Sequence, residues 1–284
     1  MKNISVLLFL LITLALNAQN NKTSGLNARQ FHKYWKVESE SPDYKVTFLG
    51  DTVEILSPKG LTLWRKEKMS GKVTIEYDAC VVVEVEGDRL SDLNCFWMAS
   101  DPQYPDNIWK REKWRSGIFL NCYSLQLYYM GYGGNHNSTT RFRRYDGNEA
   151  AITNAKARPA ILKEYTDADH LLEANKWYHI KITNENNRVS YYINGVRLVD
   201  FRDAAPLTEG WFGFRTTLSR TRIANFHYEC SPQEISEIPL HWIGNTPQQD
   251  RTVSLGVPFS EGELYPENTL QLITDRGETL PIDT

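Results

Sequence analysis

Hydrophobic and polar residues alternate one for one over several stretches of this 284-residue chain. Val73-Thr74-Ile75-Glu76-Tyr77-Asp78 does so strictly, and Trp177 to Thr183 repeats the pattern. A period of two sends successive side chains to opposite faces of an extended strand, one face for a core and one for water. Val189–Ile193 and Val196–Phe201 flank Asn194-Gly195. An Asn-Gly pair between two β-rich runs marks a tight hairpin, because both central residues must take positive φ. Gly210–Arg215 and Thr221–Tyr228 read as further strands. Helical periodicity is nearly absent, and only a short turn near Ala168–Ala174 is expected. Many short strands with turn signals between them predict an all-β sandwich or jelly roll.

The two ends break the pattern. Met1-Lys2-Asn3 is a short positive start, Ile4 to Leu16 is an apolar run, and Ala18 offers a small residue before the polar stretch from Gln19. This reads as a secretory signal peptide over residues 1–18, too short and wrongly flanked for a membrane anchor. With no cysteine at the cleavage region, lipid attachment is not expected, and no other segment could span a bilayer. The mature protein is expected to be periplasmic or secreted. At the other end, Ser231-Pro232-Gln233-Glu234 reads as a linker, so residues 19–230 form the jelly-roll unit. Residues 231–284 add two or three strand-like runs, such as Thr269–Ile273, too few for a comfortable independent core.

Composition narrows the function classes. A formal net charge of −3 lacks the basic excess that phosphate backbones demand, so nucleic acid is not an expected partner. The chain holds 8 Trp and 15 Tyr against 4 Met. Such residues join an apolar face to a polar edge and suit binding surfaces as well as cores. Export permits disulfides among Cys80, Cys95, Cys122 and Cys230, but their apolar neighbours suit buried free thiols equally well.

One stretch concentrates polar chemistry that a core does not need. Tyr123–Asp146 carries Tyr128, Tyr129, Tyr132, Tyr145, His136, Arg141, Arg143 and Arg144 around Gly133-Gly134. Flat aromatic faces suit pyranose C–H groups, amides suit hydroxyls, and guanidinium forks suit carboxylates. The expected partner is therefore a polysaccharide or oligosaccharide. Substrate-binding candidates are Trp109, Trp114, Tyr128, Asn135, Arg144, Tyr145 and Arg215. Arg141, Arg143 and Tyr145 should share one strand face, with Phe142 and Arg144 on the other. The bland alternative for each is an ordinary surface ion pair, a solvated loop residue or loop packing. Trp177 and Trp211 begin strands and are expected in the core.

The residues bear on two catalytic schemes. A retaining glucanase of jelly-roll type uses E-x-D-x-x-E, whereas Glu76-x-Asp78 is followed by Val81, leaving the carboxylate pair incomplete. A lyase needs a cation to neutralise a uronate and a base for the adjacent proton. Arg141 and Arg143 with Tyr132 or His136 would supply these, so those four residues are the catalytic candidates if the protein is an enzyme. No cofactor is expected. The histidines lack zinc spacing, and Asp92, Asn94 and Asp101 could serve a structural calcium or, more simply, turns.

Several motifs in order carry a family resemblance. They are Gly60-Leu-Thr-Leu-Trp64-Arg-Lys-Glu67, Ile75-Glu-Tyr-Asp78, Ser91–Asp101, Tyr129-Met-Gly131-Tyr-Gly-Gly134-Asn135 with Thr140–Asp146, Gly210-Trp-Phe-Gly213-Phe-Arg215 and Ile223-Ala-Asn225-Phe226. Together they resemble the DUF6250 family over about residues 27–229. The resemblance implies a concanavalin A-like jelly roll and a setting among secreted bacterial polysaccharide-degrading proteins. His241–Pro247, Gly256–Phe259 and Leu280–Ile282 are similar to the opening of exo-rhamnogalacturonan-lyase-like proteins. The resulting expectation is a secreted carbohydrate-binding protein acting on a pectic or other uronate-containing glycan. The alternatives are a polysaccharide lyase or, less favoured, a glycoside hydrolase, and a structural accessory domain.

Overall fold

The computed structural model describes residues 24–231 and two short C-terminal strands, Leu272–Ile273 and Thr279–Leu280, which pair with each other. The expected signal peptide, and the linker and most of the C-terminal segment, lie outside the described residues.

In chain order the strands are β1 (Trp35–Ser39), β2 (Lys45–Leu49), β3 (Thr52–Arg65), β4 (Met69–Ser70), β5 (Lys72–Val82), β6 (Leu93–Ser100), β7 (Gln126–Gly133), β8 (Thr139–Asp146), β9 (Lys163–Tyr165), β10 (Tyr178–Glu185), β11 (Arg188–Ile193), β12 (Val196–Arg202) and β13 (Glu209–Ser231). They form two antiparallel layers. The back layer runs β12-β11-β10-β5 to the second half of β13, then the first half of β3 and β2. The front layer runs β9-β8-β7-β6 to the first half of β13, then the second half of β3 and β1. Strands β3 and β13 belong to both. This is the expected jelly-roll sandwich of concanavalin A-like type.

Ring contacts between the layers define the core. Trp97 of β6 stacks on Tyr191 of β11 at 6.2 Å, Phe142 of β8 meets Phe201 of β12 at 5.5 Å, and Tyr132 of β7 meets Tyr178 of β10 at 5.2 Å. The alternation read from sequence decides which residues enter. Val73, Ile75 and Tyr77 point inward from β5, as do Tyr178, Ile180 and Ile182 from β10. That parity corrects one expectation: Trp177, one residue before this set, is 44% exposed, while Trp211 is buried as expected.

Gly210–Arg215 and Thr221–Tyr228 are one strand, not two. No glycine or proline interrupts residues 216–220, and the chain changes layers through a bulge near Leu218, where φ is 51°. Cys80, Cys95 and Cys122 are buried free thiols, and Cys230 is exposed. Burial pushes the Cys95 thiol up to about 12 and that of Cys122 to about 11, so both are unreactive at neutral pH.

The segment between β6 and β7 folds over the outer face of the front layer in short helical turns, Ile108–Arg111, Glu112–Arg115 and Phe119–Ser124. It buries a second cluster of Trp64, Phe96, Ile108, Cys122, Tyr123, Leu127, Tyr145 and Trp211. The front layer is thus covered on both faces at one end, which accounts for the unbroken apolar run Cys95–Ala99. Ion pairs pin the segment down. Arg115 donates to Glu38 at 2.8 Å with both side chains almost fully buried, and Arg111 donates to Asp101 at 2.8 Å and Glu149 at 2.5 Å. Gly60 permits the closest approach, since a Cβ there would lie 2.4 Å from the Gly117 carbonyl and 2.5 Å from Arg215.

Candidate functional site

Where the segment ends, the outer face of the front layer begins to open. Register places one transverse row at that boundary: Thr62 of β3, Arg215 of β13, Asn94 of β6, Gly131 of β7, Arg141 of β8 and Glu164 of β9, the first three still buried. The next row holds Phe96, Tyr129 and Arg143. Between these rows and the covering segment lies a cleft of about 310 Å³. Its lining includes Asn94, Tyr129, Gly131, Arg141, Arg143 and Tyr145, with Phe119 and Tyr123 from the segment and Arg89, Asp92, Asn135, Thr139 and Thr217 at the rim.

Gly131 forms the floor. A Cβ on it would stand 2.4 Å from the Tyr129 hydroxyl, so glycine is what leaves the hydroxyl its place above the strand. That hydroxyl has no hydrogen-bond partner among the described residues. Burial raises its pKa, an effect that Arg215 and Arg143 only partly offset, so it enters the cleft as a neutral donor and acceptor. Among the described residues, three lining side chains also carry a buried polar atom without a partner: the Asn94 Oδ1, the Tyr145 hydroxyl and the Arg89 Nε. Buried polar groups are normally satisfied, and orphans gathered at one cleft mark a place where a ligand or water completes the bonding.

Charge in the cleft is unbalanced. Arg89 pairs with Asp92 at 3.1 Å and Arg141 with Glu164 at 2.5 Å. Arg143 donates to the Pro159 carbonyl at 2.5 Å and has no carboxylate partner among the described residues. Arg215, buried behind the Phe119 ring, donates to the Gly117 carbonyl at 2.6 Å and likewise lacks a carboxylate there. Two guanidinium charges without counter-charge favour an anion.

The structure separates the sequence candidates. Arg141, Arg143 and Tyr145 do share a face, and with Asn135 they line the cleft. Arg215 stands just behind it. Tyr128 and Tyr132 lie on the opposite parity of β7, in the core between the layers. Tyr128 donates to Asp203 at 2.6 Å, and Arg144 donates to the same carboxylate at 2.5 Å and to the Ala205 carbonyl at 2.7 Å, so both clasp the loop before β13 and face no ligand. Tyr132 donates to the Leu171 carbonyl at 3.1 Å, and burial raises its pKa steeply; it cannot serve as a base in the cleft. His136 is exposed on a left-handed turn, φ 61° between Asn135 at 55° and Asn137 at 56°, outside the lining. Asn137 holds that turn by bonding both backbone groups of Leu172. Trp109 packs edge-on against Trp211, and Trp114 lies under Arg111, neither in the cleft. Asp101 is buried with Arg111 at the far end of β6 from Asp92 and Asn94, so the three calcium candidates do not converge.

Sequence reasoning missed Tyr129 and Gly131 as site residues. The signal was present: Met130 is apolar and shares parity with Tyr128 and Tyr132, which assigns that set to the core and Tyr129 with Gly131 to the other face.

Comparison with known proteins bears on this arrangement. The family model described as a domain of unknown function, DUF6250, matches residues 55–226. The chain belongs to this family. A PcRGLX-like N-terminal RIFT barrel domain model matches residues 236–284. No curated protein matches the sequence. Among solved structures, a protein of unknown function with a galectin-like fold from Bacillus subtilis aligns at a TM-score of 0.55 and 15% identity, over 71% of this DUF6250 chain and 91% of that one. It establishes the sandwich fold. A carbohydrate-binding module, CBM66, also from Bacillus subtilis, aligns at 0.46 and 18% identity over 69% and 94% of the two chains. The VIP36 exoplasmic/lumenal domain in its Ca2+/Man-bound form aligns at 0.48 and 10% identity over 74% and 86%.

Proposed function

We propose that this DUF6250 protein acts outside the cytoplasm as a binding protein for an acidic saccharide, with a uronate-containing pectic or rhamnogalacturonan-like polysaccharide as its target. The observation that carries the reading is Arg143: a guanidinium lining a cleft, held in place by a carbonyl, with no carboxylate partner among the described residues. Tyr129, Tyr123 and Phe119 supply aromatic surface beside it, and Tyr129, Asn94 and Asn135 supply hydroxyl-matching groups. The similarity of the C-terminal segment to the opening of exo-rhamnogalacturonan-lyase-like proteins supports the choice of glycan. Binding is favoured over cleavage because Tyr132 and His136, the proposed bases, stand outside the cleft.

The lyase reading retains one supporting observation: Asp92 and the Tyr129 hydroxyl share the cleft with Arg143. One experiment separates the two. The protein is run through gels containing pectic, gum-type or neutral polysaccharide while the same mixtures are followed for ultraviolet absorbance of unsaturated uronate. Retardation in acidic gels alone, weakened about tenfold or more by Arg143→Ala and by added salt, is expected. Product absorbance that disappears with Arg143→Ala would establish a lyase, and equal retardation of wild type and variant would sink the site.

A further inference from the structure

We infer that an acidic saccharide chain crosses the cleft from side to side, over β13, β6, β7 and β8, with its interior bound and no chain end required. The inference rests on the saccharide reading above. The floor is built across the strands. β13 gives Thr217, whose carbonyl accepts from Arg89 at 3.1 Å, β6 gives Asp92, β7 gives Gly131, and β8 gives Arg141 and Arg143. From β13 to β8 is three strand spacings, about 14 Å. Walls stand on the two long sides. On one, Phe119 and Tyr123 pack over Tyr129 and Tyr145, and on the other the β7–β8 turn contributes Gly134 and Asn135. Both short sides are open to water. At the β13 side Arg89, Asp92 and Thr217 are half-buried, and the exposed Leu218 comes next. At the β8 side Arg141 and Arg143 are half-buried, and the exposed Glu164 of β9 comes next. No strand of the front layer follows β9 on that side among the described residues.

The cations are spread along this path. Arg89 stands at one short side, and Arg141 with Arg143 at the other. One carboxylate occupies one guanidinium fork. A polyuronate repeats its carboxylate with every ring, so one chain meets both sides at once. The two sides differ in strength. Arg89 is shared with Asp92 at 3.1 Å and Arg141 with Glu164 at 2.5 Å, whereas Arg143 has no carboxylate partner among the described residues. Arg143 is thus the principal contact at any ligand length, and Arg89 adds to it only for a chain long enough to reach across. The buried Arg89 Nε, without a partner among the described residues, is a donor left over on that side.

The test uses the full chain with galacturonate and its oligomers, from monomer to decamer, together with the polymer, in titration calorimetry. Affinity is expected to climb about tenfold or more from the monomer to the length that reaches both sides and then level off, with several proteins bound along one polymer chain. Arg89→Ala should weaken the long oligomers about fivefold and leave the monomer and dimer within about twofold of wild type, while Arg143→Ala weakens every length. The wild-type length series needs no variant and decides the matter even if Arg89→Ala fails to fold. One protein per saccharide chain at every length, with no gain in affinity beyond the dimer, would overturn the inference while leaving the saccharide reading intact. Absence of binding at every length would remove both.

Discussion

Gly131 is the residue on which the cleft turns. Its backbone lies in an ordinary strand with φ outside the left-handed region, so Gly131→Ala meets no conformational penalty. The added methyl must instead displace the Tyr129 hydroxyl. We expect a melting temperature within about 3 °C of wild type but at least a tenfold loss of uronate-saccharide affinity, measured by calorimetry and thermal denaturation on one sample. Unchanged affinity would show that the floor of the cleft is not in contact with ligand. Arg143→Lys is a second residue-scale probe. It keeps the charge but loses the fork, so it should recover only part of the affinity lost in Arg143→Ala. Which tyrosines would serve was the least legible feature of the sequence. Tyr128 and Tyr129 are neighbours with identical side chains, and only parity separates them. A single step along a strand moves a residue from core to surface, and parity becomes certain only when the partner strand is known.

At the scale of elements, the segment between β6 and β7 does the shaping. Its short helical turns carry no periodic signature, so the sequence showed a charged, Trp-bearing loop and nothing of its path. The charges themselves explain the path: Arg111 and Arg115 reach inward to Asp101, Glu149 and Glu38, and pull Phe119 and Tyr123 over the sheet. Arg115→Ala would leave Glu38 buried without its partner. Breaking a buried pair in this way costs about 3–5 kcal/mol, read as a shift in the urea midpoint. If the segment shapes the cleft, saccharide affinity falls in parallel at temperatures where the protein is still folded. Several strands, by contrast, were legible nearly residue for residue. Expected runs at 73–78, 189–193 and 196–201 fall within β5, β11 and β12, with the Asn194-Gly195 turn between the last two. Strict alternation is imposed by a sheet with one face in the core, whatever the loops do.

Over the whole molecule, acid sensitivity follows from carboxylates held in their charged form. The Lys181 ammonium holds Glu76 below its ordinary value, with His227 and His179 assisting, and Arg188 does the same for Asp200. A carboxylate with a depressed native pKa binds protons in the unfolded chain before it does so in the native one. Its contribution is therefore present above the ordinary carboxylate range and is lost as pH falls through the native value. Stability should be level above roughly pH 5 and decline below it. In Glu76→Gln the decline should be shallower, as followed by urea denaturation across an acid series. An identical slope would show that Glu76 is not among the groups responsible.

The placement of β13 has a consequence for how the molecule comes into being. It is the last strand of the sandwich in sequence, yet it stands between β3, β5 and β6 and supplies a central member to both layers. Before it arrives, β5 and β6 present long open edges, and β3 has no neighbour on its inner side. Folding must therefore wait until residue 231 is available, and contacts that span so much of the chain are slow to form. Until that strand docks, neither half of the sandwich can complete its sheet.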